Sequence, residues 1–336
     1  MYIWPPKKNK KEILGFILKK FFKLITLLIA LCIVTFILLE KSPLDPVQAY
    51  VGADLTVTQE QRENIAEYWG LNKPPLERFS SWFRAIAKGD LGRSMIYRRD
   101  VVDVISERFM ASLALMLVAW VVSGVLGFIL GIVSGINEGK FIDKFIRGYC
   151  YVLISTPTFW IGILLIIIFS VKLKLFPTGL GVPIGVLSDE VTISSLIKHL
   201  TLPALTLSIL GVANICLHTR EKVIEILSSD YILFAKARGE SKKSIVFNHV
   251  IKNVALPAIT LQFLSFSELF AGTVFAEQVF SYPGLGQATV SAGLKGDLPL
   301  LMGIVIISLI FVYTGNLIAD LIYMLIDPRV KGGSKA

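Results

Sequence analysis

The stretch from Ser229-Asp230-Tyr231 to Leu256-Pro257 reads SDYILFAKARGESKKSIVFNHVIKNVALP. It is a basic, polar insert between two apolar runs, near 199–218 and 254–276. Ser229 or Asp230 is suited to cap a short helix, because a side-chain oxygen there can accept from the first free backbone N–H groups. Tyr231, Phe234 and Ala235 then fall on one face of that helix. Ala235, Ala237 and Gly239 are small, so another surface can approach closely, and Gly239 suits the turn out of the helix. Arg238 and His249 add polar contacts in the same loop. From these residues two readings stand: a segment gripped by another protein, or a solvated loop whose amphipathic helix lies on lipid.

Working outward, the chain has 336 residues, 54% of them hydrophobic, and a mean hydropathy of +0.67. That is too apolar for a soluble domain and points to a polytopic membrane protein. Apolar windows of about 19 residues predict six spans, at 21–39, 110–136, 146–171, 199–218, 254–276 and 300–326. The expected fold class is all-α, since in lipid each backbone N–H and C=O must find a partner within its own helix. The net charge of +9 would suit nucleic acid, but the Lys and Arg residues flank the spans and form no basic face. No nucleic-acid partner is therefore expected; membrane lipid is. A Lys-rich head (1–20), a short loop with Lys140, Lys144 and Arg147, the loop 219–253 and the tail 328–336 all fall on one side. By the positive-inside rule that side is the cytoplasm, with both termini. The first span is long enough to cross a bilayer and lacks a small-residue cleavage site, so it reads as a retained anchor.

The segment 40–107 is the one sizeable polar region. Thr58 with Gln61 in the capping-box position predicts a helix there, within a small extracytoplasmic subdomain that lacks a large core of its own. Cys32, Cys150 and Cys216 lie in or beside apolar runs without ligand spacing and read as small buried hydrophobes. Gly124, Gly127, Gly131 and Gly135 recur at helical spacing and predict close helix packing.

Several chemistries are missing. The run Gly135-Ile-Asn-Glu-Gly139-Lys140-Phe141 is too short for a phosphate-binding loop and has Phe where Ser or Thr is needed. No nucleophile or metal-ligand constellation appears, so no catalytic residue and no metal site is assigned; His199, His218 and His249 read as structural or interfacial. No cofactor is expected on this chain. One charge stands out. Glu268 lies mid-span, where an ionisable group is costly by roughly 2.5–3.5 kcal/mol on insertion scales and must face protein or water. With Gln262 and Ser265 it is expected to face a translocation path, favouring a cationic cargo or a peptide amino terminus. The alternative is a glutamate paired across a helix interface through Ser265. Asn316 and Asp320 share a face of the last span and read as interior hydrogen-bonding groups.

Motifs spread along the chain carry a resemblance. They are Ser42-Pro-Leu-Asp-Pro46, Gly89-Asp-Leu-Gly-Arg-Ser94, Ser155-Thr-Pro-Thr-Phe-Trp160, Phe176-Pro177, Phe280-Ser-Tyr-Pro-Gly-Leu-Gly286 and Asp327-Pro328-Arg329. In this order and spacing they resemble the permeases of ATP-binding-cassette (ABC) importers for oligopeptides, dipeptides and nickel, in the B-type membrane subunit. The quoted loop is similar to that family's cytoplasmic EAA loop, although Leu233 and Phe234 replace its leading Glu-Ala pair. The resemblance implies a type I importer transmembrane domain over 108–327. It implies that the loop docks on a separate ATPase through Ser229, Asp230, Tyr231, Phe234, Ala235, Ala237, Arg238, Gly239 and His249. The implied partners are a second homologous permease, two ABC ATPase subunits that hold ATP and Mg, and an extracytoplasmic solute-binding protein. Glu277, Tyr282, Pro283 and Gly284 are expected at an outer gate or against that binding protein, with a simple interfacial role for Glu277 as an equal alternative. The expected function is the permease of a peptide importer in the bacterial cell membrane, with nickel or a metallophore complex as alternative cargo. A gradient-driven secondary transporter is less well supported, for want of repeated halves or paired intramembrane charges.

Overall fold

The structure is a computed structural model that describes residues 10–43, 45–51, 57–186 and 190–326. The motif at 327–329, the tail, the first nine residues and the side chain of Asp320 lie outside the described residues. In chain order the helices are α1 (Lys10–Glu40), α2 (Pro46–Val51), α3 (Gln59–Tyr68), α4 (Pro75–Ala87), α5 (Val101–Ile136), α6 (Phe141–Ser155) and α7 (Thr158–Leu165). They continue with α8 (Ile193–Leu227), α9 (Asp230–Ala237), α10 (Lys242–Ile245), α11 (Ile251–Leu264), α12 (Phe266–Val279), α13 (Leu285–Lys295) and α14 (Leu298–Ile326). Two π-helical stretches, Ile166–Lys172 and Val246–Val250, extend α7 and join α10 to α11.

Among the described residues five helices are long and apolar enough to cross a membrane, and six if a bent pair is counted as one span. Two boundaries depart from the sequence expectation. The third span is not one rod. It is α6 followed by α7 with its π extension, bent by 107°. Pro157 is the cause: it has no N–H to donate and holds Thr156 in extended backbone (φ −103, ψ 130). The fifth span begins earlier than expected, at Lys242, and stops at Leu264; Ser265 separates it from α12. A hydropathy window averages across that interruption and cannot see it.

The chain divides into two compact units. One comprises Met1–Ala111 with Gly284–Tyr313. In it Cys32 and Phe36 of α1 pack with Met302 of α14, flanked by Phe79 and Trp82 of α4. Thr58 and Gln61 form the predicted capping box at the start of α3, and neither α3 nor α4 carries a buried residue. The polar centre of this unit is Asp297, which ends the turn into α14. Its carboxylate accepts from Ser94 Oγ (2.6 Å), Ile96 N (3.0 Å) and Leu300 N (3.2 Å). The Gly89–Ser94 motif is thereby tied to α14. Burial pushes the Asp297 carboxyl above its ordinary range, against the pull of these donors.

The second unit comprises Ser112–Pro283 and the chain from Thr314. Its centre is α8, held against α5 along the glycine series. A Cβ on Gly131 would lie 2.5 Å from Thr219 Cβ and 2.7 Å from the Cys216 carbonyl oxygen. On Gly127 it would lie 2.8 Å from Ile215, and on Gly135 2.6 Å from Val223. The expectation of close helix packing along these glycines is met, and it sets how near the two backbones come. Cys150 and Cys216 are buried together between α6 and α8.

Candidate coupling and translocation site

The short helix α9 hangs from the end of α8 by two side chains. Ile232 and Ala235 are buried in a cluster with Val223, Ile245, Val250 and Val254. Helical periodicity then turns Tyr231, Leu233 and Phe234 outward, the last two 66% and 65% exposed. The expected grouping of Ala235 with Tyr231 and Phe234 is therefore corrected. Ala235 is 3% exposed and faces the chain's own core, so only Ala237 and Gly239 among the three small residues are open to another surface. Leu233 joins the outward face; the sequence reading had treated it only as a departure from a motif. Ser229 takes the N-cap position with extended backbone (φ −77, ψ 153), but its hydroxyl donates back to the Ile226 carbonyl and caps nothing. Asp230 opens the first turn of the helix, and Arg238 closes it. Gly239 makes the exit turn at φ +79, where an L side chain would be strained.

His249 is also corrected. It is half-buried and has a partner within its own chain: its Nε2 lies 3.0 Å from Glu240, which Arg238 approaches at 3.8 Å and Ser244 Oγ at 3.4 Å. Glu240 thus braces the return of the loop into α11 through the π-helical turn.

Close by, a group that the sequence reading passed over organises the junction of α5, α6 and α8. Asp143 is wholly buried and accepts from Arg220 Nε (2.6 Å), Arg220 Nη2 (2.9 Å), Ser134 Oγ (2.7 Å) and Gly139 N (2.9 Å). The two guanidinium bonds are the bidentate geometry that Arg provides and Lys cannot. Asp143 ties the α5–α6 turn to α8 about two turns before α8 ends at Leu227. Its only sequence signal was an acid among the bases of a short loop.

Within the spans, Gln262 is buried on α11. Its Nε2 donates to the Trp120 carbonyl, whose indole Nε1 donates back to the Gln262 carbonyl at 2.9 Å. Its place on an open path is therefore corrected: it is buried, and its amide nitrogen joins α11 to α5. Ser265 donates to the Gln262 carbonyl at 2.9 Å, so it does not pair with Glu268. Glu268 itself is exposed and makes no hydrogen bond or ion pair among the described residues.

At the other end of α12, Glu277 is fully buried and accepts from Ser112 Oγ of α5. It offers no surface to a binding protein, which corrects that part of the expectation. The Tyr282 N–H donates to the Glu277 carbonyl, and burial with the nearby Glu277 charge raises the Tyr282 hydroxyl. Pro283 is half-buried and Gly284 buried. The loop after α7 is locked onto this corner. Leu180 N donates to the Phe280 carbonyl (2.8 Å), and a Cβ on Gly179 would sit 2.3 Å from that oxygen. His199 Nδ1 lies 3.0 Å from the Gly179 carbonyl and 3.1 Å from that of Leu180. Both are acceptors only, so the ring proton is on Nδ1 and the role is structural.

Among the described residues no group of His, Cys, Asp and Glu is placed to hold a metal ion. The arrangement offers an apolar helix face braced from behind, and a helix with one uncovered carboxylate. Comparison with known proteins places this geometry. The family model for the binding-protein-dependent transport system inner membrane component matches residues 127–332, and the model for its N-terminal part matches 13–116. The oligopeptide transport system permease protein AppB of Bacillus subtilis is 32% identical over 318 residues, covering 94% of this chain and 99% of that protein. A probable peptide ABC transporter permease of Sinorhizobium fredii is 32% identical over 317 residues, with 94% and 99% covered. Among solved structures the MetNI methionine ABC transporter, in inward facing conformations, aligns with a TM-score of 0.52. That alignment is at 14% identity and covers 67% of this chain and 97% of that one. The chain belongs to the family of binding-protein-dependent transport system inner membrane components, and its fold is that of a type I ABC importer transmembrane domain.

Proposed function

We propose that this chain is the permease subunit of an ATP-driven importer of peptides. The observation that carries the reading is the outward face of α9, where Tyr231, Leu233 and Phe234 project while Ile232 and Ala235 anchor the helix from behind. Three large apolar side chains on one short polar loop are a docking surface in search of a groove. A separate ATPase subunit supplies that groove and holds ATP and Mg. A second permease completes the path, a second ATPase docks on it, and a solute-binding protein delivers cargo at the opposite face. Both termini and α9 lie in the cytoplasm, following the basic residues. Peptide as cargo is supported by the names of the relatives that match over nearly the full chain.

Closure of the ATPases on ATP moves α9 as a rigid lever. The Asp143–Arg220 clasp passes that motion to α5, α6 and α8 together, since a bidentate buried pair does not slide. The test is ATP-driven uptake of a tripeptide by the reconstituted complex. Phe234→Asp is expected to abolish uptake while leaving ATP binding by the ATPases intact. A Walker-A lysine variant of the ATPases should do the same. Uphill uptake by this chain with no companions would refute the reading.

A further inference from the structure

We propose that one uncovered stripe of α12, formed by Glu268, Ala271, Phe275 and Gln278, lines the translocation path, and that Glu268 selects for a cationic group on the cargo. The inference rests on the importer reading above. The four residues are spaced three, four and three apart, which places them on a single helix face, and all four are exposed.

The other faces of α12 are taken. Leu269, Thr273 and Ala276 are buried. A Cβ on Gly272 would stand 2.8 Å from Leu207 Cδ1 of α8. Ser267 donates to Asn316 Oδ1 of α14, and a Cβ on Gly315 would collide with the Phe266 ring. The fold thus covers three sides of this helix and leaves bare the one side that carries a carboxylate.

Two other destinations for that side are disfavoured by its chemistry. Lipid would have to take a carboxylate into hydrocarbon, which is costly because nothing there solvates the charge. The buried centre of a subunit seam is depleted of charge, and a lone carboxylate there would need a matching cation from the second subunit. A wet path asks for neither. Its surface is expected to mix apolar area with a few polar groups, as ligand sites do, and this stripe has an aromatic ring between a carboxylate and an amide. An ionised carboxylate in a narrow aqueous passage concentrates cations and repels anions. The shared chemistry of the favoured cargo is an ammonium or guanidinium group, whether a peptide amino terminus or a basic side chain.

The experiment uses the complete complex in nanodiscs. Cys32, Cys150 and Cys216 are all buried, so with partner subunits stripped of cysteine the thiol introduced by Ala271→Cys is the one open to reagent. It is treated with two membrane-impermeant methanethiosulfonates, one carrying trimethylammonium and one carrying sulfonate. The cationic reagent is expected to react on the order of tenfold faster than the anionic one, relative to a free thiol, and Glu268→Gln is expected to remove that preference. Failure of both reagents to react would mean that the stripe is covered by another subunit, and would overturn the proposal. Reaction only with a lipid-soluble maleimide would overturn it in favour of the bilayer, and so would a rate ratio unchanged by Glu268→Gln. Uptake of trialanine, of its N-acetyl form and of acetyl-Ala-Ala-Lys then separates amino terminus from basic side chain. The cargo whose uptake falls in Glu268→Gln carries the recognised group. A charge preference at the thiol, with no uptake of any peptide by the unsubstituted complex, would uphold the stripe and refute peptide as cargo.

Discussion

Asp143 at the junction of α5, α6 and α8, and Glu268 on α12, are both carboxylates of the membrane bundle, and the fold treats them in opposite ways. Asp143 has no exposed surface and four hydrogen bonds within 2.9 Å. Glu268 is exposed and has none among the described residues. A charge saturated by its own chain holds helices together. A charge left exposed by the described residues, as Glu268 is, holds no helices together. The same division runs through α9, where Ile232 faces inward to a cluster and Phe234 faces outward to nothing.

The contrast can be broken by stability measurements on the purified protein, read as thermal unfolding in detergent. The largest effect is expected for Arg220→Ala, which leaves the buried Asp143 carboxylate with Arg147, 3.5 Å away, as its remaining cation and should destabilise by about 3–5 kcal/mol. The double variant Arg220→Met with Asp143→Asn should recover much of that loss, because no buried carboxylate is left without its bidentate partner. A neutral Arg220→Ala would end the claim that this clasp holds the junction. Next, Ile232→Ala should cost about 2–4 kcal/mol by opening a cavity behind α9. It should appear as lost amide-exchange protection across the loop.

Smaller effects sharpen the picture. Gly131→Ala must push α5 off the Thr219 side chain and the Cys216 carbonyl of α8, with a loss of about 1–3 kcal/mol. Asp297→Asn replaces one acceptor oxygen with a donor facing a backbone N–H and should lose about 1–3 kcal/mol. It should also flatten a pH dependence. Burial raises the Asp297 carboxyl above its unfolded value, so the folded state binds the extra proton. Stability therefore rises as pH falls through that raised value towards the ordinary carboxylate range, and the slope should vanish in Asp297→Asn. The smallest effects belong to the outward groups. Phe234→Ala and Glu268→Gln should each change stability by less than about 0.5 kcal/mol. Phe234→Ala should nonetheless uncouple ATP hydrolysis from uptake. A large stability loss in either would show that the bare faces are used by the chain itself.

Much of the architecture was legible in the sequence. Long apolar runs can only be helices in lipid, the glycine series at helical spacing foretold the α5–α8 contact, and Thr58 with Gln61 foretold a cap. Gly239 foretold the turn after α9, because a positive φ there demands it. The site was read less well. Helical spacing put Tyr231, Phe234 and Ala235 within one arc, but which arc faces inward depends on Val223, Ile245 and Val254, which arrive from other helices. His249 and Gln262 looked available because their partners, Glu240 and Trp120, are not marked by any local pattern. Asp143 was invisible for the same reason: its cation sits 77 residues away.

By itself the sequence determined the solvent of this protein, the helical class, the family resemblance and the polar segments built to leave the bilayer. Those follow from composition, period and local turn chemistry, all short-range properties. Only the tertiary structure decided which polar groups are consumed by the fold and which remain for others. Pairing energies depend on distance between residues far apart in the chain, and a carboxylate has the same letter whether it is clasped by an arginine or left facing a path.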